Sequence, residues 1–158
     1  MKSGRIPLVS IWMIALAAVT ALIPWQAVHS ENEESIKVSK AAIVFDKENA
    51  KRGEVVNIDN RSGSDLTLGL ELPDKGLSYS GVIRKPEQRK VPREDWARFT
   101  LSAGSGVLIV IIPGLQPAEL QALDGTEIRV RIHEGNELRE VRRIPIKVHA
   151  DLLRGTKE

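Results

Sequence analysis

The segment from Arg84 to Arg93 has the residue types that could bind an anion. It holds five basic residues, one acidic residue, Glu87, and two prolines. The prolines predict a long exposed loop, and long loops on a β-sheet scaffold often carry binding residues. Concentrated cations favour an acidic partner protein, an acidic glycan or a phospholipid headgroup; the alternative is a solvated loop whose charges balance nearby acids. The candidate partner-binding residues are Arg84, Lys85, Arg89, Lys90, Arg93, Tyr79 and Trp96.

Two of these candidates, Tyr79 and Trp96, are aromatic and flank the basic segment. Aromatic side chains are enriched at protein interfaces, so both are candidate contact residues. Trp96, however, stands just before Phe99 at the start of a strand pattern, which favours a core position for it.

Two histidines, His133 and His149, lie 16 residues apart on or beside strands that could be neighbours. A surface metal pair is one hypothesis; solvated strand residues are the more common explanation, because no further ligands accompany them. The sequence has no cysteine, which excludes disulfides, thiolate metal sites and cysteine nucleophiles. We therefore expect neither a metal nor a cofactor.

The acidic pairs are poor candidates for acid–base catalysis. Glu33-Glu34 and Glu94-Asp95 are sequence neighbours, and neighbouring residues on a strand point to opposite faces. The chain has no Ser-His-Asp spacing, no G-x-S-x-G, no phosphate-binding loop and no H-E-x-x-H, so we expect that it is not an enzyme. Asn60-Arg61-Ser62 is a formal glycosylation acceptor, which matters only in a eukaryotic host.

Alternation of apolar and polar residues with a period of two predicts the strands that must position these residues. The clearest strand has leucines at positions 66, 68, 70 and 72, since a helix would scatter them over opposite faces. Ile36–Phe45 is a first strand, interrupted near Ser39-Lys40. Val107–Ile112 is apolar on both faces, which predicts a strand in the centre of the core. Pro117–Leu123 predicts one or two helical turns with its proline near the start.

The chain ends in a predicted hairpin. Glu127–His133 alternates, a turn follows at Glu134–Glu137, and Leu138–Val148 returns. A phase slip between Val141 and Ile144 indicates a bulge, and Pro145 argues for an edge strand. The arginines of this hairpin form a self-compensated outer face if its glutamates pair with them across strands. The alternative is that they form a binding surface. These arginines are Arg129, Arg131, Arg139, Arg142 and Arg143, and the glutamates are Glu127, Glu137 and Glu140.

Residues 1–30 predict a signal peptide, with residues 31–150 as one β-domain and 151–158 as a polar tail. A short basic start precedes an apolar run that ends at Pro24, and small residues follow. The alternative is an uncleaved membrane anchor over residues 6–25. Either way the domain is exported, to the periplasm or as a secreted protein. The signal segment carries two of the 23 basic residues and no acid, so 21 basic residues face 21 acidic ones in the remainder. This neutrality argues against nucleic-acid binding.

About seven or eight strands with almost no helical periodicity predict an all-β fold, an antiparallel two-sheet sandwich. The stretch Val55–Ser62, the leucine strand and Phe99–Pro113 resemble immunoglobulin-like domains of the PapD-like, pilus-chaperone kind. Pilus chaperones have two such domains and this chain has room for one, so their subunit-binding residues are not transferred.

Lys51–Asn60 is also similar to the strand that precedes the first copper ligand of cupredoxins. The copper-binding cysteine is missing, so a cupredoxin-like fold would be one that does not carry electrons. The sequence therefore predicts a non-catalytic exported module that contacts another envelope protein. The alternative is a periplasmic small-ligand or metal-handling protein of degenerate cupredoxin type.

Overall fold

The computed structural model describes residues 34–154, and the predicted signal peptide lies outside them. The described residues form ten strands, two short α-helices and one 3-10 turn at Arg93–Asp95. The strands are β1 (Ile36–Val38), β2 (Ile43–Phe45), β3 (Glu54–Asn60), β4 (Leu66–Glu71), β5 (Leu77–Lys85), β6 (Arg89–Lys90), β7 (Phe99–Leu101), β8 (Gly106–Pro113), β9 (Glu127–Glu134) and β10 (Glu137–Val148). The helices are α1 (Pro117–Leu123) and α2 (Ala150–Leu153).

Two five-stranded sheets form a β-sandwich. Sheet 1 has the order β1-β3-β8-β5-β6, and sheet 2 has the order β2-β10-β9-β4-β7. All pairs are antiparallel except β2 with β10, which is parallel. The predicted all-β sandwich is confirmed. The letters A to G can be given in chain order to the principal strands, which are β1, β3, β4, β5, β8, β9 and β10. Sheet 1 then holds A, B, E and D, and sheet 2 holds C, F and G, which is the immunoglobulin arrangement.

The first predicted strand is interrupted where the alternation broke. Its halves, β1 and β2, join different sheets, so the chain crosses the side of the sandwich at residues 39–42. Ile36 and Ile43 are both fully buried. The sandwich is therefore closed along this side by one continuous stretch of chain.

The core lies between the sheets and is filled by alternate strand residues. Leu66, Leu68 and Leu70 of β4 are buried, as their spacing predicted. The prediction for Val107–Ile112 was right about its central position in sheet 1 and wrong about its burial. Val107, Ile109 and Ile111 face the core, but the alternate residues face outward and are only half-buried, because no element among residues 34–154 covers that face.

Helix α1 closes one end of the sandwich within the predicted range. Pro117 occupies its first turn, and the Glu119 carboxylate accepts a hydrogen bond from the Gln116 backbone N–H at 3.1 Å. This capping satisfies a backbone donor that the helix itself leaves free. Leu120 and Leu123 anchor the buried side of the helix in the core.

The last hairpin differs from the prediction in one detail. The register shift falls between Leu138 and Glu140 rather than between Val141 and Ile144. From residue 140 onward, inward-facing and outward-facing side chains alternate regularly. Val141 is one of the outward-facing residues and is 40% exposed. The residues predicted as a polar tail begin with α2, whose Leu152 and Leu153 pack against the core.

Candidate functional site

A basic cleft lies at one end of the sandwich. One wall is the β5–β6 hairpin, and the other is the loop from Ser102 to Ser105 that leads into β8. The cleft has a volume of about 510 Å³. Four of the predicted cationic residues line it, namely Arg84, Lys85, Arg89 and Lys90.

Two of these cations are held in place by neighbours. The Arg84 guanidinium donates a hydrogen bond of 2.6 Å to the carbonyl oxygen of Thr100 and lies 5.4 Å from the centre of the Phe99 ring. Lys85 Nζ lies 2.9 Å from Asp59 Oδ1. These contacts connect the hairpin to β7 of the opposite sheet and to β3, so the positions of both cations are fixed by the fold.

The other two cations, Arg89 and Lys90, are exposed on β6. Neither forms an ion pair with any residue between 34 and 154. Two carboxylates, Glu87 and Asp95, also line the cleft. With Asp59, which pairs with Lys85, four cations face three carboxylates, and the cations without an ion-pair partner lie at the rim of the cleft.

The segment that carries these cations is not the long exposed loop that the prolines predicted. β5 continues to Lys85, a tight turn follows, and β6 returns to pair with Ile83 and Arg84. The reason is Val91, which is buried and donates its backbone N–H to the carbonyl oxygen of Val82 at 2.8 Å. This apolar anchor extends the pairing beyond the charged residues and makes the segment a hairpin.

The remaining three candidates lie on a neighbouring surface. Tyr79, Arg93 and Trp96 line a shallow depression of about 280 Å³, which also includes Lys90. Trp96 is 8% exposed, and its Nε1 donates to the carbonyl oxygen of Val91 at 3.0 Å. It belongs to the core, and the Arg93 guanidinium lies 5.7 Å from its ring centre.

Asn60 organises the second wall of the cleft, a role that was missed when it was considered as a glycan acceptor. It is 1% exposed, and its Nδ2 donates to the carbonyl oxygens of Ser64 and Leu101, each at 2.9 Å. Its backbone N–H donates to the carbonyl oxygen of Ser105 at 2.9 Å, and its carbonyl oxygen accepts from the Gly104 N–H at 3.1 Å. In the folded domain its amide is therefore occupied.

The outer face of sheet 2 is self-compensated, as its arginine and glutamate pattern predicted. Glu71 lies within 3.6 Å of Arg129 and within 2.5 Å of Arg131, and Glu127 lies 2.5 Å from Arg129. The hydrogen bond to Glu127 raises the pKa of Arg129. Arg139 and Arg143 also have glutamate partners. Arg142 was expected on this face, but it lies on the side of the buried Ile144 and pairs there with Glu140 and Glu34. These arginines are already paired with carboxylates. Exposed ion pairs of this kind have little free charge with which to attract a ligand.

The two histidines do not form a metal pair. His133 pairs with Leu138 beside the hairpin turn, whereas His149 follows the far end of β10. Eleven strand residues separate these levels, or roughly 35 Å. Within residues 34–154, no three His, Cys, Asp or Glu side chains gather as a metal-binding group.

One side of β10 is an unpaired edge over most of its length. Only its Ile146–Val148 portion pairs with β2, so from Glu137 to Pro145 the edge away from β9 has no strand partner among the described residues. The prediction that Pro145 occupies an edge position is confirmed. Leu138 and Val141 are exposed along this stretch, which makes it a second surface for contact with another chain.

Comparison with known proteins gives structural similarity only. No protein-family model and no curated protein matches the chain. A C. elegans MSP family member, WR4, has 14% identity and a TM-score of 0.40, covering 73% of this chain and 98% of that one. The E. coli chaperone DraB has 14% identity and a TM-score of 0.39, covering 73% of this chain and 54% of that one.

A chain of the complex between Salmonella enterica SafA pilin and the SafB chaperone has 16% identity and a TM-score of 0.39. The similarity covers 74% of this chain and 55% of that one. This chain therefore spans about half the length of the two chaperone-related chains. The weak resemblance to PapD-like domains is confirmed, while the sandwich assignment itself stands on the strand order. No helix within residues 34–154 is long and apolar enough to cross a membrane.

Proposed function

We propose that the protein is an exported, non-catalytic binding module that contacts another envelope protein, and that it holds an acidic segment of that protein in the basic cleft. The observation that carries the proposal is the convergence of Arg84, Lys85, Arg89 and Lys90 on one concave surface. Concave surfaces with unpaired charge at the rim attract segments of opposite charge and orient them.

The arrangement of the cleft supports a protein segment as the ligand. Arg84 donates to the neutral Thr100 carbonyl, so its positive charge is fixed in place and not cancelled. The charge of Lys85 is offset by Asp59. Arg89 and Lys90 are exposed and unpaired among residues 34–154, so they are the groups that a carboxylate would reach first. The unpaired edge of β10 lies on the other side of the sandwich, next to β2, so it is not part of this site.

A paired charge reversal tests the proposal. The variant Arg89→Glu/Lys90→Glu changes the rim of the cleft, and Lys47→Glu/Lys75→Glu makes the same charge change at the other end of the sandwich. All four residues are exposed, so both variants should fold. Tagged proteins are incubated with the envelope fraction, cross-linked, and the recovered proteins are quantified by mass spectrometry.

We expect the wild-type protein and the Lys47/Lys75 control to recover the same partner, and the cleft variant to recover at least tenfold less. Recovery should also fall as salt rises, because the rim charges are exposed. The proposal is wrong if the wild-type protein recovers no partner, or if the cleft variant behaves like the control. Binding of an acidic glycan or anionic vesicles without a protein partner would also contradict it.

A further inference from the structure

The outer face of sheet 1 has an apolar centre that no described element covers. Leu108, Val110 and Ile112 of the central strand β8 point outward and are half-buried. In register beside them lie Val55 and the polar Asn57 on β3, and Tyr79, Gly81 and Ile83 on β5. Val55 is 43% exposed and Tyr79 is 41% exposed. Central strands are usually covered on both faces when both faces are apolar, so this surface indicates a missing layer.

The apolar centre has the size of one helix. It covers three strands, or about 10 Å across, and three rows of side chains, or about 13 Å along the strands. An α-helix with its side chains is about 10 Å wide and rises 5.4 Å per turn. Two to three turns of a single helix therefore match the patch.

The charges around the patch are predominantly positive. The row at its cleft end holds Lys37, Asp59 and Lys85, of which only Lys85 and Asp59 form an ion pair. Lys90 lies beside Ile83 on the neighbouring strand. The outer face of sheet 2 differs, because glutamates lie beside its arginines, although Lys147 has no ion-pair partner among residues 34–154. A ligand of sheet 1 must therefore bring apolar side chains and carboxylates together.

We propose that this face docks an amphipathic helix of the partner, with an apolar stripe flanked by acidic residues. The inference rests on the proposed function and names the chemistry of that partner. Lys85 and Lys90 line both the cleft and the edge of the face, so the two surfaces are continuous. A second copy of this chain is the weaker occupant, because two such faces would bring their excess lysines together.

A synthetic helical peptide tests the face directly. The probe is an 18-residue peptide with leucines at i, i+3, i+4 and i+7 and glutamates beside them; a matched peptide has lysines in place of the glutamates. Binding to the full chain is measured by fluorescence anisotropy. The test variant is Val55→Glu, and the control is Val44→Glu, a strand valine of sheet 2 that is 47% exposed.

We expect the glutamate peptide to bind the wild-type protein and Val44→Glu equally. Val55→Glu should weaken binding at least tenfold, because it adds a carboxylate and removes apolar contact, and the lysine peptide should bind at least tenfold more weakly. Leu108→Thr, which keeps a strand-forming residue, should weaken binding about threefold if Val55→Glu fails to fold. The inference is overturned if no peptide binds, or if Val55→Glu and Val44→Glu bind it alike.

Two further outcomes would overturn it in favour of another occupant. One is a concentration-dependent dimer, seen by analytical ultracentrifugation, that Val55→Glu abolishes. The other is binding to phosphatidylglycerol vesicles that the same change abolishes. If Val55→Glu keeps the envelope partner that Arg89→Glu/Lys90→Glu loses, the face inference fails and the proposed function stands. If the wild-type protein recovers no envelope partner, the proposed function fails whatever the peptide result.

Discussion

Replacing Asn60 by alanine should both destabilise the domain and loosen one wall of the cleft. The side chain makes four hydrogen bonds: Nδ2 donates to the Ser64 and Leu101 carbonyls, and Oδ1 accepts from the backbone and hydroxyl of Ser62 at 2.9 and 2.7 Å. The Leu101 contact is buried and joins β3 of one sheet to β7 of the other. Alanine retains none of these contacts.

The size of the effect follows from which partners can regain water. Ser62 and Ser64 lie at the surface, so losing their bonds costs about 0.5–1.5 kcal/mol together. The buried Leu101 carbonyl oxygen would be left without its donor, which costs about 1–3 kcal/mol. We therefore expect the free energy of unfolding to fall by about 2–4 kcal/mol, and the melting temperature to fall by roughly 10 °C.

Urea titration followed by far-UV circular dichroism measures this change. The matched control is Asn57→Ala on the same strand, whose Nδ2 bonds Asp59 near the surface and whose Oδ1 is buried without a partner. Removing an unsatisfied atom offsets the lost bond, so the control should change stability by less than about 0.5 kcal/mol. A loss below 1 kcal/mol for Asn60→Ala, or equal losses for the two variants, would refute the role assigned to Asn60.

Three further substitutions separate the contributions of the core, the backbone and the surface to the stability of the domain. Leu123→Ala in α1 removes a fully buried side chain and should cost about 2–5 kcal/mol in a urea titration. Gly53→Ala should cost more than about 1 kcal/mol, because φ is +78° and the new Cβ would lie 2.5 Å from the Ile111 carbonyl oxygen; a loss no larger than that of a surface change would contradict this. Glu71→Gln breaks two exposed ion pairs and should cost less than about 1 kcal/mol, an effect that disappears in high salt.

The elements that were predicted well depend on local patterns. The spacing of the leucines predicts β4, and the proline predicts the start of α1, because strand alternation and helix initiation are decided within a few residues. The charge pattern of β9 and β10 predicts that the arginines find glutamate partners but not which ones, because the register places Arg143 opposite Arg129 and Glu137 opposite Glu134. Arg129 and Arg131 instead contact Glu71 on β4.

The features that were missed depend on distant partners. The hairpin at Arg84–Lys90 forms because Val91 is buried against residues that its local sequence does not reveal. Asn60 is structural because its amide reaches Leu101, 41 residues away. Alternation alone could not decide whether Leu108 and Val110 face another layer, because an apolar run is equally consistent with a covered and an uncovered face.

The even charge balance of the domain conceals how its charges are placed. On sheet 2 the arginines lie beside glutamates, so that face is neutral at short range. The acids used there are not available to sheet 1 and its cleft end, where Lys37, Arg89 and Lys90 have no ion-pair partner within residues 34–154. On sheet 1 several unpaired cations surround one apolar patch, whereas on sheet 2 Lys147, beside the exposed Val44, is a single example among residues 34–154. We therefore expect that a single partner which brings both carboxylates and apolar side chains would occupy the face and the cleft together.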